Sequence, residues 1–160
     1  MIYQAPETLH DAIGLLSSAS GDARVLAGGT DLLVQLRAET IHPELVVDIK
    51  RIPELNSIAN EGGVFRIGAA TPCAVIDEHK LLKETWPGVV EASELIGSTQ
   101  IQGRASLGGN LCNASPAADT VPALTAAGAT ITIAGLTKKK NCQLRIYARD
   151  LVRLRLPKER

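Results

Sequence analysis

RASLGGNLCNASPAADT, Arg104 to Thr120, decides how this chain is read. The segment is rich in Gly, Ala, Ser and Asn and carries few ionisable groups. Ser106-Leu107-Gly108-Gly109-Asn110 sets a polar residue, a glycine pair and an amide side chain in a row. Glycines let a ligand reach main-chain N–H groups with no Cβ in the way. Asn113, Ser115, Asp119 and Thr120 add short polar groups that suit the hydroxyls of a sugar or ribityl chain. A carboxylate such as Asp119 accepts from two hydroxyls at once. The same composition also makes a long loop held by its own Asx and Ser/Thr turns.

A second glycine pair bears on that choice. Ala27-Gly28-Gly29-Thr30-Asp31-Leu32 follows an apolar run and precedes a helical one. Its glycines permit a tight turn with positive φ, and the helix start beyond it offers unpaired N–H donors suited to a phosphate. A strand–helix turn with no ligand is the plainer reading. The motif is neither GxGxxG nor a Walker loop ending in GK[ST]. Two Gly-Gly loops in two halves of one chain fit a single extended ligand with a diphosphate in its middle.

Composition narrows the classes. With 160 residues and 45% hydrophobic content, the chain has enough apolar material for one domain or two small lobes. Its four aromatics, Tyr3, Phe65, Trp86 and Tyr147, leave the core to aliphatic side chains and provide few platforms for stacking bases. Cys73, Cys112 and Cys142 lie far apart with no CxxC, so neither a metal or iron–sulfur site nor a disulfide framework is expected. No run approaches the ~20 apolar residues of a membrane span and no signal-peptide pattern occurs, which fits a cytoplasmic setting. His10, His42 and His79 sit in helix, loop and charged-helix contexts, and no Ser/His/Asp or Cys/His set is evident. Catalytic residues are therefore expected to be none, as for a cofactor that does its own chemistry.

The pattern along the chain is mixed. Thr8, with Asp11 three residues on, marks a helix start. Arg24–Ala27 reads as a short buried strand, Thr30 as the cap of a helix through Arg37, and Leu45–Ile49 as a strand, together a parallel βαβ unit. Beyond the turn Ile52–Leu55, Gly62-Gly63 closes a hairpin before the strand Val64–Ala69. Helices are expected over Thr71–Glu84, from Pro87, and over Val121–Ala127, and a strand over Ala129–Ala134. Residues 1–135 hold eight Lys+Arg against fifteen Asp+Glu, net −7, whereas residues 136–160 hold nine against two, net +7. All 14 glycines lie at or before Gly135.

VLAGGTDLLVQLR (25–37), IPELNSI (52–58), FRIGAATP (65–72) and ASLGGNLCNASPAADTVPAL (105–124) together resemble the FAD-binding medium subunit of the molybdenum hydroxylases, the family of xanthine dehydrogenase and aerobic carbon monoxide dehydrogenase. The resemblance covers roughly residues 1–135. It implies an α+β, two-lobed FAD-binding fold of the vanillyl-alcohol oxidase (PCMH) type, with an N-terminal lobe at 1–55 and an incomplete second lobe at 56–135. It implies that Val25, Leu26, Ala27, Gly28, Gly29, Thr30, Asp31 and Leu32 hold the cofactor's diphosphate and adenosine side from the first lobe. Ser106, Leu107, Gly108, Gly109 and Asn110 then hold it from the second. Asp119 binds a hydroxyl of the flavin's sugar-like chain, and Ile96 packs against the cofactor.

FAD is expected to be non-covalent, with Cys112 the one thiol near a glycine loop. The resemblance implies that electrons come from [2Fe–2S] clusters on a small partner subunit, fed by a molybdopterin cofactor on a large one, and pass to NAD, oxygen or another acceptor. Neither nucleic acid nor membrane is an expected partner. Family members continue past this length, so residues 136–160 are expected to be a truncated or frame-shifted end, a basic tail unlike the family. The alternatives are another flavin oxidoreductase of the same fold and a non-enzymatic module whose basic tail binds nucleic acid.

Overall fold

The computed structural model describes residues 1–136 and the backbone of 139–143. A three-stranded parallel sheet opens the chain: β1 (Ile2–Gln4), β2 (Ala23–Leu26) and β3 (Leu45–Asp48), in the order β1-β3-β2. As the middle strand, β3 is covered on both faces, and Val46 and Val47 are buried, as a run of Val in a parallel sheet requires. The edge strand β2 is not the buried strand expected: only Leu26 is buried, and Arg24 and Val25 are exposed. Between β1 and β2 runs α1 (Leu9–Ser18). The Asp11 N–H donates to Thr8 Oγ1 at 3.1 Å, the N-cap bond that the sequence announces, and the Thr8 hydroxyl donates to the Asp11 carboxylate at 2.6 Å. Between β2 and β3 lies α2 (Leu32–Arg37). Its cap position is Asp31 rather than Thr30, and no side chain caps it.

A 3₁₀ turn, Pro53–Leu55, leads to the antiparallel hairpin β4 (Ile58–Glu61) and β5 (Val64–Ile67), closed by Gly62 and Gly63, both with positive φ. The single helix expected over 71–84 is two, α3 (Cys73–Asp77) and α4 (Lys80–Thr85). His79 breaks them apart, its extended backbone starting α4 while its Nδ1 accepts from the Leu82 N–H at 3.1 Å. Pro87 starts α5 (Pro87–Glu94), where a missing N–H costs nothing. Then follow α6 (Thr99–Gln102), α7 (Leu107–Asn113) and α8 (Thr120–Ala126). Strand β6 (Thr130–Ala134) pairs antiparallel with β7 (Lys139–Gln143), Thr130 opposite Gln143 and Ala134 opposite Lys139. Part of the segment set apart at 136–160 thus forms a strand paired with β6. The rest of that segment, 137–138 and 144–160, lies outside the described residues.

Buried apolar residues form two clusters. Ala12, Val47, Ile49, Ile52 and Ala70 pack beneath the parallel sheet with Leu9, Leu15 and Leu16 of α1. Ile76, Leu82, Val89, Val90 and Leu107 pack between the later helices, with Phe65 and Ile67 of β5 against them. Among the described residues no helix is long and apolar enough to cross a membrane.

Candidate functional site

The two glycine pairs converge. Gly28 sits against the backbone of Arg104, so a Cβ at Gly28 would run into the Arg104 carbonyl. The β2–α2 turn therefore abuts the entry to α7 directly, backbone on backbone. Gly29 takes φ +84, a conformation in which other residues are strained, and packs on Leu26 and Leu33. On the opposite side, a Cβ at Gly108 would lie 2.5 Å from the Ala69 carbonyl oxygen. Gly109 has only Ser106 Oγ near its missing Cβ, at 3.1 Å.

The segment expected to be a loop is in large part the helix α7. Ser106 caps it, its hydroxyl accepting from the Gly109 N–H at 3.1 Å. Two glycines and two asparagines are poor helix formers. Tertiary contacts supply what propensity lacks: Leu107 is buried in the second cluster, and the Cys73 N–H donates to the Ala105 carbonyl at 2.8 Å. Ala114, left-handed at φ 51, ends the helix.

Between the pairs lies a cleft of about 390 Å³, within the range of small-molecule sites. Its walls include Val25, Ala27, Gly28, Gly29, Thr30, Asp31 and Leu32 from the first motif and Ser106, Gly108, Gly109 and Asn110 from the second, with Ile96 between them. Three expected residues stand elsewhere. Leu26 points away from the cleft, because neighbours on a strand face opposite sides, and is buried. The Leu107 side chain belongs to the core. Asp119 is exposed outside the cleft wall, at the start of α8, with no hydrogen bond or ion pair among the described residues.

Arg24, Gln35, Ile49, Ala69, Ala105 and Cys112 also line the cleft and were not among the expected residues; Asn113, read in the sequence as a polar partner for ligand hydroxyls, lines it as well. Helical spacing is the signal that finds two of the unexpected ones: Gln35 lies four residues after Asp31, and Cys112 three after Gly109. Ile49 and Ala69 are ordinary apolar residues from distant parts of the chain, with no local signal.

The cleft is a donor-rich surface. Gly28, Gly29 and Thr30 on one side, and Gly108 on the other, have N–H groups with no acceptor among the described residues. A network behind the cleft holds the first turn in place. Lys50 Nζ donates to the Ala27 carbonyl at 3.1 Å and to Asp48 Oδ2 at 2.8 Å, and the Tyr3 hydroxyl donates to the same oxygen at 2.6 Å. The Lys50 N–H donates to Asp48 Oδ1 at 2.9 Å. Burial works to raise the Asp48 pKa, but the hydrogen bonds from Lys50 and Tyr3 outweigh it and hold the carboxyl below the usual value. The Tyr3 phenol is pushed up by its bond to that carboxylate. Cys112 is a free thiol whose pKa is raised by desolvation, so it is a weak nucleophile near neutrality.

Comparison with known proteins gives a consistent picture. A family described as the FAD binding domain in molybdopterin dehydrogenase matches residues 1–159, beyond the 1–135 that the motifs cover. The chain is 36% identical over 125 residues to the carbon monoxide dehydrogenase medium chain of Hydrogenophaga pseudoflava, covering 78% of this chain and 43% of that one. It is 38% identical over 119 residues to the xanthine dehydrogenase FAD-binding subunit of Escherichia coli O157:H7, covering 74% and 40%. The chain thus spans somewhat less than half the length of these relatives. Among solved structures, carbon monoxide dehydrogenase from Hydrogenophaga pseudoflava lacking the Mo-pyranopterin moiety superposes with a TM-score of 0.85 at 31% identity, covering 90% of this chain and 52% of that chain. Quinoline 2-oxidoreductase from Pseudomonas putida 86 gives 0.84 at 26% identity, covering 89% and 50%. The mixed α+β fold expected from the sequence is the fold of these chains, and this chain belongs to the family of FAD-binding domains of the molybdopterin dehydrogenases.

Proposed function

We propose that the chain is the FAD-holding part of an electron-transfer subunit in a molybdenum hydroxylase. The observation that carries this reading is the meeting of two glycine pairs at one cleft, with unpartnered N–H groups on both sides. The N–H groups of Gly28, Gly29 and Thr30 donate to the diphosphate from the first lobe, and that of Gly108 from the second. Val25, Ile49, Ala69 and Ile96 give apolar walls that keep water from the cofactor's flat surfaces.

Bound FAD supplies the redox chemistry, taking electrons and handing them on. The chain's task is to bind, orient and shield. In this reading binding is non-covalent. In the assembly, electrons arrive from a [2Fe–2S] subunit, which receives them from a molybdopterin subunit, and leave to NAD or another acceptor.

Reconstitution tests the cofactor half of this reading. The purified chain, incubated with FAD and desalted, is expected to keep flavin absorption bands and to release the flavin on denaturation. Loss of all flavin on desalting, with no heat signal when FAD is titrated in, would overturn it. The electron-transfer half is tested by co-purification with the iron–sulfur and molybdopterin subunits and reduction of NAD by the complex.

A further inference from the structure

The Asn110 side chain is locked in one orientation, and the lock sets what it offers to a ligand. Two donors converge on one atom of its amide: the Thr120 N–H at 3.3 Å and the Thr120 hydroxyl at 2.6 Å. A backbone N–H can only donate, so the atom it meets is the amide oxygen, Oδ1. If the amide were flipped, its NH₂ would face that N–H donor to donor. Thr120 is fully buried, so no water relieves such a clash. Nδ2 is therefore the atom turned away from Thr120, on a residue that lines the cleft, and it has no acceptor among the described residues.

We propose that Thr120 is a positioning residue that makes Asn110 an obligate hydrogen-bond donor to the bound cofactor. The cleft then demands an acceptor atom of the ligand at this point and rejects a donor there. This rests on the FAD reading above and adds a polarity to it. It also accounts for a threonine buried at the first turn of α8, ten residues from its partner: the short link between α7 and α8 is tied at both ends by a bond that orients the site.

Titration calorimetry of the chain with FAD tests the assignment. Asn110→Asp keeps the shape and still accepts from Thr120, but it turns the cleft-facing NH₂ into a carboxylate oxygen. FAD affinity is expected to fall on the order of 100-fold, because a donor is replaced by a charged acceptor, while the unfolding midpoint of the ligand-free chain stays close to wild type. Thr120→Val removes one of the two donors that hold the amide, and affinity is expected to fall about 10-fold. Thr120→Ser, which restores the hydroxyl without the methyl, is expected to bring affinity back. Equal FAD affinity in wild type and Asn110→Asp overturns the assignment, as does a Thr120→Ser chain as weak as Thr120→Val. A wild-type chain that binds no FAD overturns the cofactor reading itself and this assignment with it.

Discussion

The two glycine pairs look alike in sequence and are used differently. Gly28-Gly29 lies in an open turn between a strand and a helix, whereas Gly108-Gly109 forms the first turn of a helix behind a serine cap. Within each pair the glycines also divide their tasks. The first is pressed against a backbone from elsewhere, Gly28 on Arg104 and Gly108 on Ala69. The second serves the local turn: Gly29 by its positive φ, Gly109 by leaving the surface of the cleft bare. Glycine at a ligand loop is thus not explained by ligand access alone. Half of these glycines are there so that two parts of the protein can touch.

The sharpest way to break this comparison is to add one methyl group at Gly28. The Cβ of Gly28→Ala meets a carbonyl of the main chain, which has no rotamer through which to escape. The turn and the entry to α7 must separate, and destabilisation of about 3 kcal/mol or more is expected. Gly29→Ala at φ +84 should cost less, about 1–2 kcal/mol, since its neighbours are leucine side-chain atoms rather than main chain. Urea unfolding of both variants checks the order. If Gly29→Ala proves the worse, backbone conformation and not contact between the two parts is the dominant constraint.

The first pair also has a support that the second lacks, the Asp48–Lys50–Ala27 network. Asp48→Asn removes the charge that balances Lys50, and a loss of about 2 kcal/mol is expected. The pH dependence has a definite sign. Because the folded pKa of Asp48 lies below its ordinary 3.8, its stabilisation is complete above that value and is lost as pH falls through the folded one. Wild type should therefore lose stability in that acid window, and Asp48→Asn should lose less. Thermal midpoints between pH 2 and 6 test this. Parallel curves for the two chains would show that Asp48 does not carry the acid dependence.

Much of this contrast was legible in the sequence, and its limits have physical causes. The motifs pointed to one site for both pairs, which do line one cleft, and helix starts such as Thr8 and Pro87 were readable because they act within three or four residues. The helical state of Leu107–Asn113 was not, since its residues disfavour helix and burial of Leu107 decides the matter. Strand β1 has three residues, all exposed, and is held by its pairing with β3, 43 positions away at Ile2–Leu45. Lys50 bonds a carbonyl 23 residues distant, a contact that no local pattern announces.

The cap of α7 offers a smaller test. Ser106→Ala leaves the Gly109 N–H without its acceptor and should cost about 1 kcal/mol, as cap removals do. Gly29 has no counterpart to lose, as α2 has no side-chain cap. Equilibrium unfolding that shows no loss in Ser106→Ala would mean that packing of Leu107 alone sets the start of the helix.

The smallest effect on stability is expected at Gly109, and it separates folding from function. Alanine gains helix propensity over glycine by up to about 1 kcal/mol, while its Cβ, 3.1 Å from Ser106 Oγ, crowds the cap slightly. The two should nearly cancel in Gly109→Ala. The same methyl stands on the cleft wall beside the N–H group of Gly108, so it should hinder a ligand that approaches it closely. A chain with an unchanged unfolding midpoint and clearly weakened FAD binding is the expected result. Loss of stability with full FAD affinity would reverse the assignment, making Gly109 a packing glycine like Gly28 and Gly108 and leaving the second pair without a residue dedicated to the ligand.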